Sequence, residues 1–188
     1  MISRALVHQI EEHSGRLTEE VLAAIRSDPH TTAYNRHLDD VTLRGAVDEL
    51  FHHLGLWLTS RTDHAVEAYY RKIGLERCLQ GIPISQLVRA LLLVRSELLR
   101  FLRTATVGDA AEMQLENQLE LAICEFIEKA IYFASVGYED ACRAALEYVP
   151  AEHDPVRFGV GCATDVEGAA AELSSVVSRA GQVGEVGG

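Results

Sequence analysis

The stretch GIPISQLVRALLLVRSELL, residues 81–99, constrains the fold of this chain more than any other. Gly81 suits the left-handed position just past a helix end, and Pro83 suits the first turn of the next helix, where its missing N–H costs nothing. The stretch therefore predicts a tight corner followed by a helix whose stripe is Ile84, Leu87, Val88, Leu91, Val94, Leu98, Phe101 and Leu102. Leu92, Leu93 and Leu99 widen that stripe past a half-turn, while Ser85, Arg89, Ser96, Arg100 and Arg103 keep one polar edge. A helix this apolar is covered on two or three sides, as at the centre of a bundle. It is not a membrane anchor, because its longest apolar run is Ala90 to Val94, against the roughly 20 residues a span needs.

The same three/four rhythm organises the rest of the chain. Leu6, Ile10, Leu17, Val21 and Ile25 predict one helix from about Ser3 to Ser27, ended by Asp28-Pro29 because proline disfavours helical geometry in the residue before it. The polar segment PHTTAYNRHLDD then reads as a loop. Leu43, Val47, Leu50, Leu54 and Trp57 predict a helix over about 41–60. Asp63 is placed to cap a third helix carrying Val66, Tyr69, Tyr70 and Ile73 as far as Gln80. After the 83–103 helix, Asp109 and Glu112 have the spacing of a capping box, and the periodicity then holds to about Val149. Some forty helical residues would measure roughly 60 Å. Either this helix breaks near Gly137, or its end projects and pairs with another chain. Ala130, Ala134, Gly137 and Ala141 form a smooth ridge on it, suited to close packing inside the chain or across a homodimer two-fold.

No segment reads as a strand of any length; Val156–Val160 is a weak candidate. The expectation is an all-α bundle of about five main helices in one domain, residues 1–150. Residues 151–188 form a linker-like tail with one short helix over Thr164–Ala180, interrupted upstream by Pro155, Gly159 and Gly161. With 188 residues, 48% of them hydrophobic, the chain can bury one sizeable core, and a second full domain would be cramped.

Charge narrows the partners. Seventeen Lys and Arg stand against 28 Asp and Glu, a formal charge of −11, and no basic run offsets it. Such a surface repels phosphate backbones and anionic membranes, so neither nucleic-acid binding nor membrane insertion is expected. The opening MISRALVHQIEEH lacks the unbroken apolar stretch of an export signal, which predicts a cytoplasmic location with Cys78, Cys124, Cys142 and Cys162 reduced. None of the four forms a CxxC pair.

Candidate chemistry is sparse. Glu49 and His52 have the spacing of one half of a carboxylate-bridged di-iron site, but the second half is missing and both project away from the Leu50/Leu54 face. His53 sits at the edge of that face, one turn before Trp57, where it is either a boundary histidine or, in a globin-like pocket, a ligand to haem or another tetrapyrrole; partly buried, it would also sense pH. His64, in the first turn after Asp63, is the second histidine of that haem reading, and the 83–103 helix contains none. Tyr69, Tyr70 and Arg71 can line a pocket with Arg89 or Arg95. Arg95 interrupts an apolar surface and needs either a carboxylate, with Glu76, Glu97 and Glu125 as candidates, or an anionic ligand. The ligand-pocket candidates are thus His53, Trp57, Tyr69, Tyr70 and Arg95. No nucleophile–base arrangement or phosphate loop emerges, so no enzyme is expected and no cofactor is required.

Glu76-Arg77, Gln80-Gly81-Ile82-Pro83 and Leu87-Val88-Arg89, followed by the Leu-rich helix with Arg95, resemble the N-terminal domain of RsbT co-antagonist proteins, the RsbR and RsbRD group of stressosome regulators. SGRLTEEVLAAIRSDP and the Leu43–Leu58 helix fit the same pattern, so the resemblance covers roughly residues 5–148. It implies a helical sensory or regulatory input domain, related in the broader group to globins that carry no haem. It also implies a signal received from a small molecule or a protein partner and an output module beyond the domain, where this sequence has only the tail.

Overall fold

The corner at 81–83 folds as its residues dictate. In the computed structural model, which describes residues 12–105 and 110–147, Gly81 has φ +69°, the left-handed region open to glycine. Its N–H bonds the Cys78 carbonyl at 3.0 Å, and the Ile82 N–H reaches back to the Arg77 carbonyl at 2.9 Å. These two bonds satisfy carbonyls left open at a helix end, and the buried Ile82 side chain closes the motif. Leu87 N–H onto the Pro83 carbonyl then starts the next helix.

Six helices follow one another among the described residues: α1 Ser14–Ser27, α2 Thr32–His37, α3 Asp40–Ser60, α4 His64–Leu79, α5 Ile84–Ala105 and α6 Ala110–Glu147. The all-α bundle expected from periodicity is what the chain forms. Two local expectations are corrected, and one alternative is removed. The single helix expected from about Ser3 to Ser27 is interrupted at His13, which lies outside helical geometry between the helical Glu12 and Ser14; residues 1–11 lie outside the described part. The segment read as a polar loop contains α2, too short to show a period, whose Ala33 and Tyr34 are buried. Arg26 holds it through the Tyr34 and Leu38 carbonyls at 3.0 and 2.9 Å, and Gln86 Oε1 accepts the Ala33 N–H at 2.7 Å. Finally, α6 does not break at Gly137. Asp109 and the side chain of Glu112, the expected capping pair, and the short helix at 164–180 fall outside what is described.

The core is built from α1 (Leu17, Val21, Ile25), α3 (Leu43, Leu50, Leu54, Trp57), α4 (Val66, Tyr70), α5 (Leu87, Leu91, Leu98) and α6 (Leu119, Ile123, Phe126, Ile127). α1 packs on α3 and α5, and its buried Thr18 hydroxyl donates to Asp48 at 2.7 Å. Arg89 of α5 donates twice to Asp28, at 2.9 and 2.6 Å, fixing the end of α1.

The small-residue ridge of α6 packs inside the chain: Ala130, Ala134, Gly137 and Ala141 are all buried. A Cβ on Gly74 would lie 2.0 Å from the Ala134 carbonyl oxygen, and one on Gly137 would lie 2.0 Å from that of Arg71. Glycines on both helices thus let α4 and α6 approach backbone to backbone. Within the ridge offered as a homodimer contact, Ala134 and Gly137 have α4 of their own chain as neighbour.

By its internal packing the chain divides into Met1–Ala141 and Cys142–Gly188. The boundary drawn at 150 from composition falls in the second unit, of which residues 142–147 are described, as the last turns of α6.

Candidate functional site

α4 carries the residues that make a site. Val66, Tyr70, Gly74 and Arg77 recur in steps of four, four and three, so all four project from one side of the helix. The first three suit a buried face, whereas Arg77 is a cation on an apolar stripe and is only 5% exposed. Gly74 faces α6, whereas Tyr70 and Arg77 on that side reach a small, partly open cavity of about 50 Å³. α1 contributes Ile25 to its wall and α2 contributes Tyr34; α3 supplies Leu43, Val47 and Leu50; α5 supplies Leu87, Leu91 and Val94. Tyr69, Tyr70, Ile73 and Arg77 complete the lining from α4.

The polar side chains in this apolar shell are one guanidinium and three phenols. Arg77 Nη1 donates to Gln80 Oε1 at 2.8 Å, which makes Gln80 the residue that orients the guanidinium. Arg77 Nε has no partner, and neither does the Tyr70 hydroxyl. No carboxylate among the described residues pairs with Arg77; its neighbour Glu76 turns to Lys72 at 3.7 Å. Burial pushes the Tyr34 phenol up to about 12, against the opposing charge and hydrogen bond of Arg77. Burial likewise raises Tyr69 to about 12 and Tyr70 well above its ordinary value. All three phenols therefore remain protonated at neutral pH.

The residues singled out in the sequence separate into three places. Tyr69 and Tyr70 line the cavity. His53 lies behind Tyr69, ring centroids 4.1 Å apart, with its Nδ1 buried and unpartnered. Burial holds its pKa below the ordinary histidine value, while Glu49, 3.9 Å from Nε2, works in the opposite direction. Trp57, in the last turn of α3, reaches the α3–α4 turn: its indole N–H donates to Asp63 Oδ1 at 3.0 Å, and Arg61 stands over its ring at 4.4 Å. Asp63, expected to cap α4 through its carboxylate, gives that carboxylate to Trp57 and to Lys129 at 2.8 Å.

Arg95 is half-buried on α5 and lies outside the cavity lining. The carboxylates considered for it are engaged elsewhere, Glu97 with Arg100, Glu125 with Arg61 and Lys129, and Glu76 with Lys72. It makes neither a hydrogen bond nor an ion pair with the described residues. Arg89 and Arg71 also lie outside this lining and pair elsewhere, Arg89 with Asp28 and Arg71 with Glu67 and Asp140.

Two tests of cofactor chemistry follow from this geometry. His53 does not line the cavity, His64 is exposed at the start of α4, and the volume is far below the roughly 300 Å³ at which ordinary small-molecule pockets begin, so the residues present do not fit a porphyrin. Glu49 and His52 are both exposed, and among the described residues no three His, Cys, Asp or Glu converge on a metal position. Among those residues, too, no helix is long and apolar enough to cross a membrane.

Two cavity residues escaped the sequence reading. Tyr34 was hidden in a segment without periodicity. Arg77 was visible only as part of the corner motif, although an arginine in phase with Val66 and Tyr70 was the signal that could have found it.

Neither the curated proteins nor the solved structures include a match to this chain. A family model does match over residues 15–148, a range that takes in the corner, the whole cavity and all but the first residue of the six helices. With well over half of the chain matched and the helical fold in agreement, the chain belongs to the RsbT co-antagonist protein rsbRD N-terminal domain family.

Proposed function

We propose that this chain is a non-catalytic signal-input domain that receives a small-molecule or protein signal in its helical bundle and passes it on through protein–protein association in a cytoplasmic regulatory complex. Membership in the rsbRD N-terminal domain family carries the reading, since that family is one of signalling regulators. The backbone contact of α4 with α6 supports it physically. α4 forms one wall of the cavity and touches α6 through Gly74 and Gly137, where no flexible side chain can absorb a displacement. A shift of α4 is therefore transmitted to the longest of the described helices.

Association has candidate positions on that helix. Leu121 and Tyr132 are 71% and 63% exposed, and eleven residues of separation place them within about 20° of each other around the axis. Size-exclusion chromatography with light scattering on the full chain tests the self-association part. The expected result is a concentration-dependent dimer that Leu121→Glu with Tyr132→Glu shifts toward monomer at unchanged helicity. A strict monomer at every concentration removes self-association from the reading.

A further inference from the structure

A buried arginine with nothing anionic beside it is the least ordinary feature of this molecule. A guanidinium keeps its charge in proteins, and an uncompensated charge out of water is costly. Arg77 is 5% exposed and its Nε has no partner, while its Nη1 donates to the neutral amide oxygen of Gln80 and the protonated Tyr34 phenol is its other polar neighbour. The Tyr70 hydroxyl, 2% exposed, also has no partner. Both residues line the same cavity. A buried cation and a phenol, each with an unsatisfied donor, thus line a space that supplies no anion.

The rest of the lining decides what kind of anion fits. Leu43, Val47, Leu87, Leu91 and Val94 leave most of the wall aliphatic, so a phosphate or sulfate would find too few donors for its oxygens. A carboxylate needs fewer, and a guanidinium recognises it through a planar edge. The volume limits its size. About 50 Å³ corresponds to roughly four water-sized positions at about 10–15 Å³ each, which is the span of a two- to four-carbon acid.

We propose that the cavity binds a short-chain aliphatic monocarboxylate, with its carboxylate on Arg77 and the Tyr70 hydroxyl and its alkyl end against the aliphatic walls of α3 and α5. This deepens the signal-input reading and rests on it only for the consequence of binding, because the carboxylate would then be the received signal. Gln80, next to the Gly81 corner, accepts from Nη1 and is a positioning residue that fixes the guanidinium.

Calorimetric titration and thermal unfolding of the full chain with acetate, propionate and butyrate test the proposal, using propanamide as the neutral isostere and chloride at matched ionic strength. The expected result is saturable binding of at least one acid with a raised Tm, and neither effect from propanamide or chloride. Arg77→Met should abolish binding. Tyr70→Phe, which removes only a hydroxyl and keeps the packing, should weaken it about ten-fold, in line with a lost hydrogen bond to a charged group. Absence of heat and of any Tm shift with all three acids overturns the proposal, as does equal binding of propanamide or full retention by folded Tyr70→Phe and Arg77→Met. A chain that binds carboxylate yet neither self-associates nor engages a partner would overturn the signal-input reading and leave the site standing; the converse result would do the opposite.

Discussion

At the scale of single residues, the molecule is governed by where polar atoms found partners. Asp28 receives two bonds from Arg89 and one from the His30 N–H, which together hold its carboxyl below the ordinary range. His53 is the opposite case, a ring partly removed from water with one nitrogen left unbonded. Its folded pKa lies below the unfolded value of about 6.5, so its neutral form is the one that folding favours. The contribution is therefore intact above about pH 6.5 and is lost as pH falls through the folded pKa. Glu49 reduces the effect and His52 adds to it. Between about pH 7.5 and pH 5, the urea midpoint should drop by less in His53→Gln than in the parent chain. An identical drop in both would mean that the acid sensitivity lies elsewhere, with Asp28 among the candidates only at still lower pH.

Among the elements, the α4–α6 contact is the most demanding. Alanine at Gly74 meets the Ala134 carbonyl oxygen and the Tyr138 amide, both backbone atoms that cannot rotate away. Gly74→Ala should therefore cost about 1–3 kcal/mol, the range for forcing extra volume into packed sites. Gly45, on α3 with open space where a Cβ would stand, should behave in reverse. Alanine there gains about 0.5–1 kcal/mol in helix propensity. Chemical denaturation of the two variants side by side checks both signs. Stabilisation by Gly74→Ala would deny the close backbone approach on which the proposed transmission through α6 depends.

For the whole molecule, net charge and surface ion pairs pull in opposite directions as salt rises. Exposed pairs such as Arg61–Glu125 and Arg71–Asp140 are each worth about 0–1 kcal/mol and weaken with screening. The formal charge of −11 acts across the entire surface, and its self-repulsion weakens too as the Debye length falls from about 30 Å at 0.01 M to about 8 Å at 0.15 M. The second effect should dominate, raising Tm over that range by about 2–4 °C, equivalent to about 1 kcal/mol for a chain of this size. A falling Tm would show that the ion pairs outweigh the repulsion.

Local sequence was enough to specify the helices that bury a long stripe and the corner that separates two of them. Period, Gly81 and Pro83 are local signals, and local physics suffices to read them. It also carried the family, because Arg77, Gln80, Gly81 and Arg89 each answer to a specific contact: the cavity, the Arg77 guanidinium, the left-handed turn and Asp28. What only tertiary structure decided is which side chains share a space. α2 forms because Arg26 and Gln86 bind its backbone from other helices, and nothing in PHTTAYNRHLDD announces that. Tyr69 and Tyr70 were found from their position on α4, but Trp57 and Arg95 were grouped with them without sharing the cavity, while Tyr34 and Arg77 share it from places the pattern could not join. Periodicity specifies which face of a helix is buried; the partner that face meets, and the donor it leaves unanswered, are set by how the helices cross.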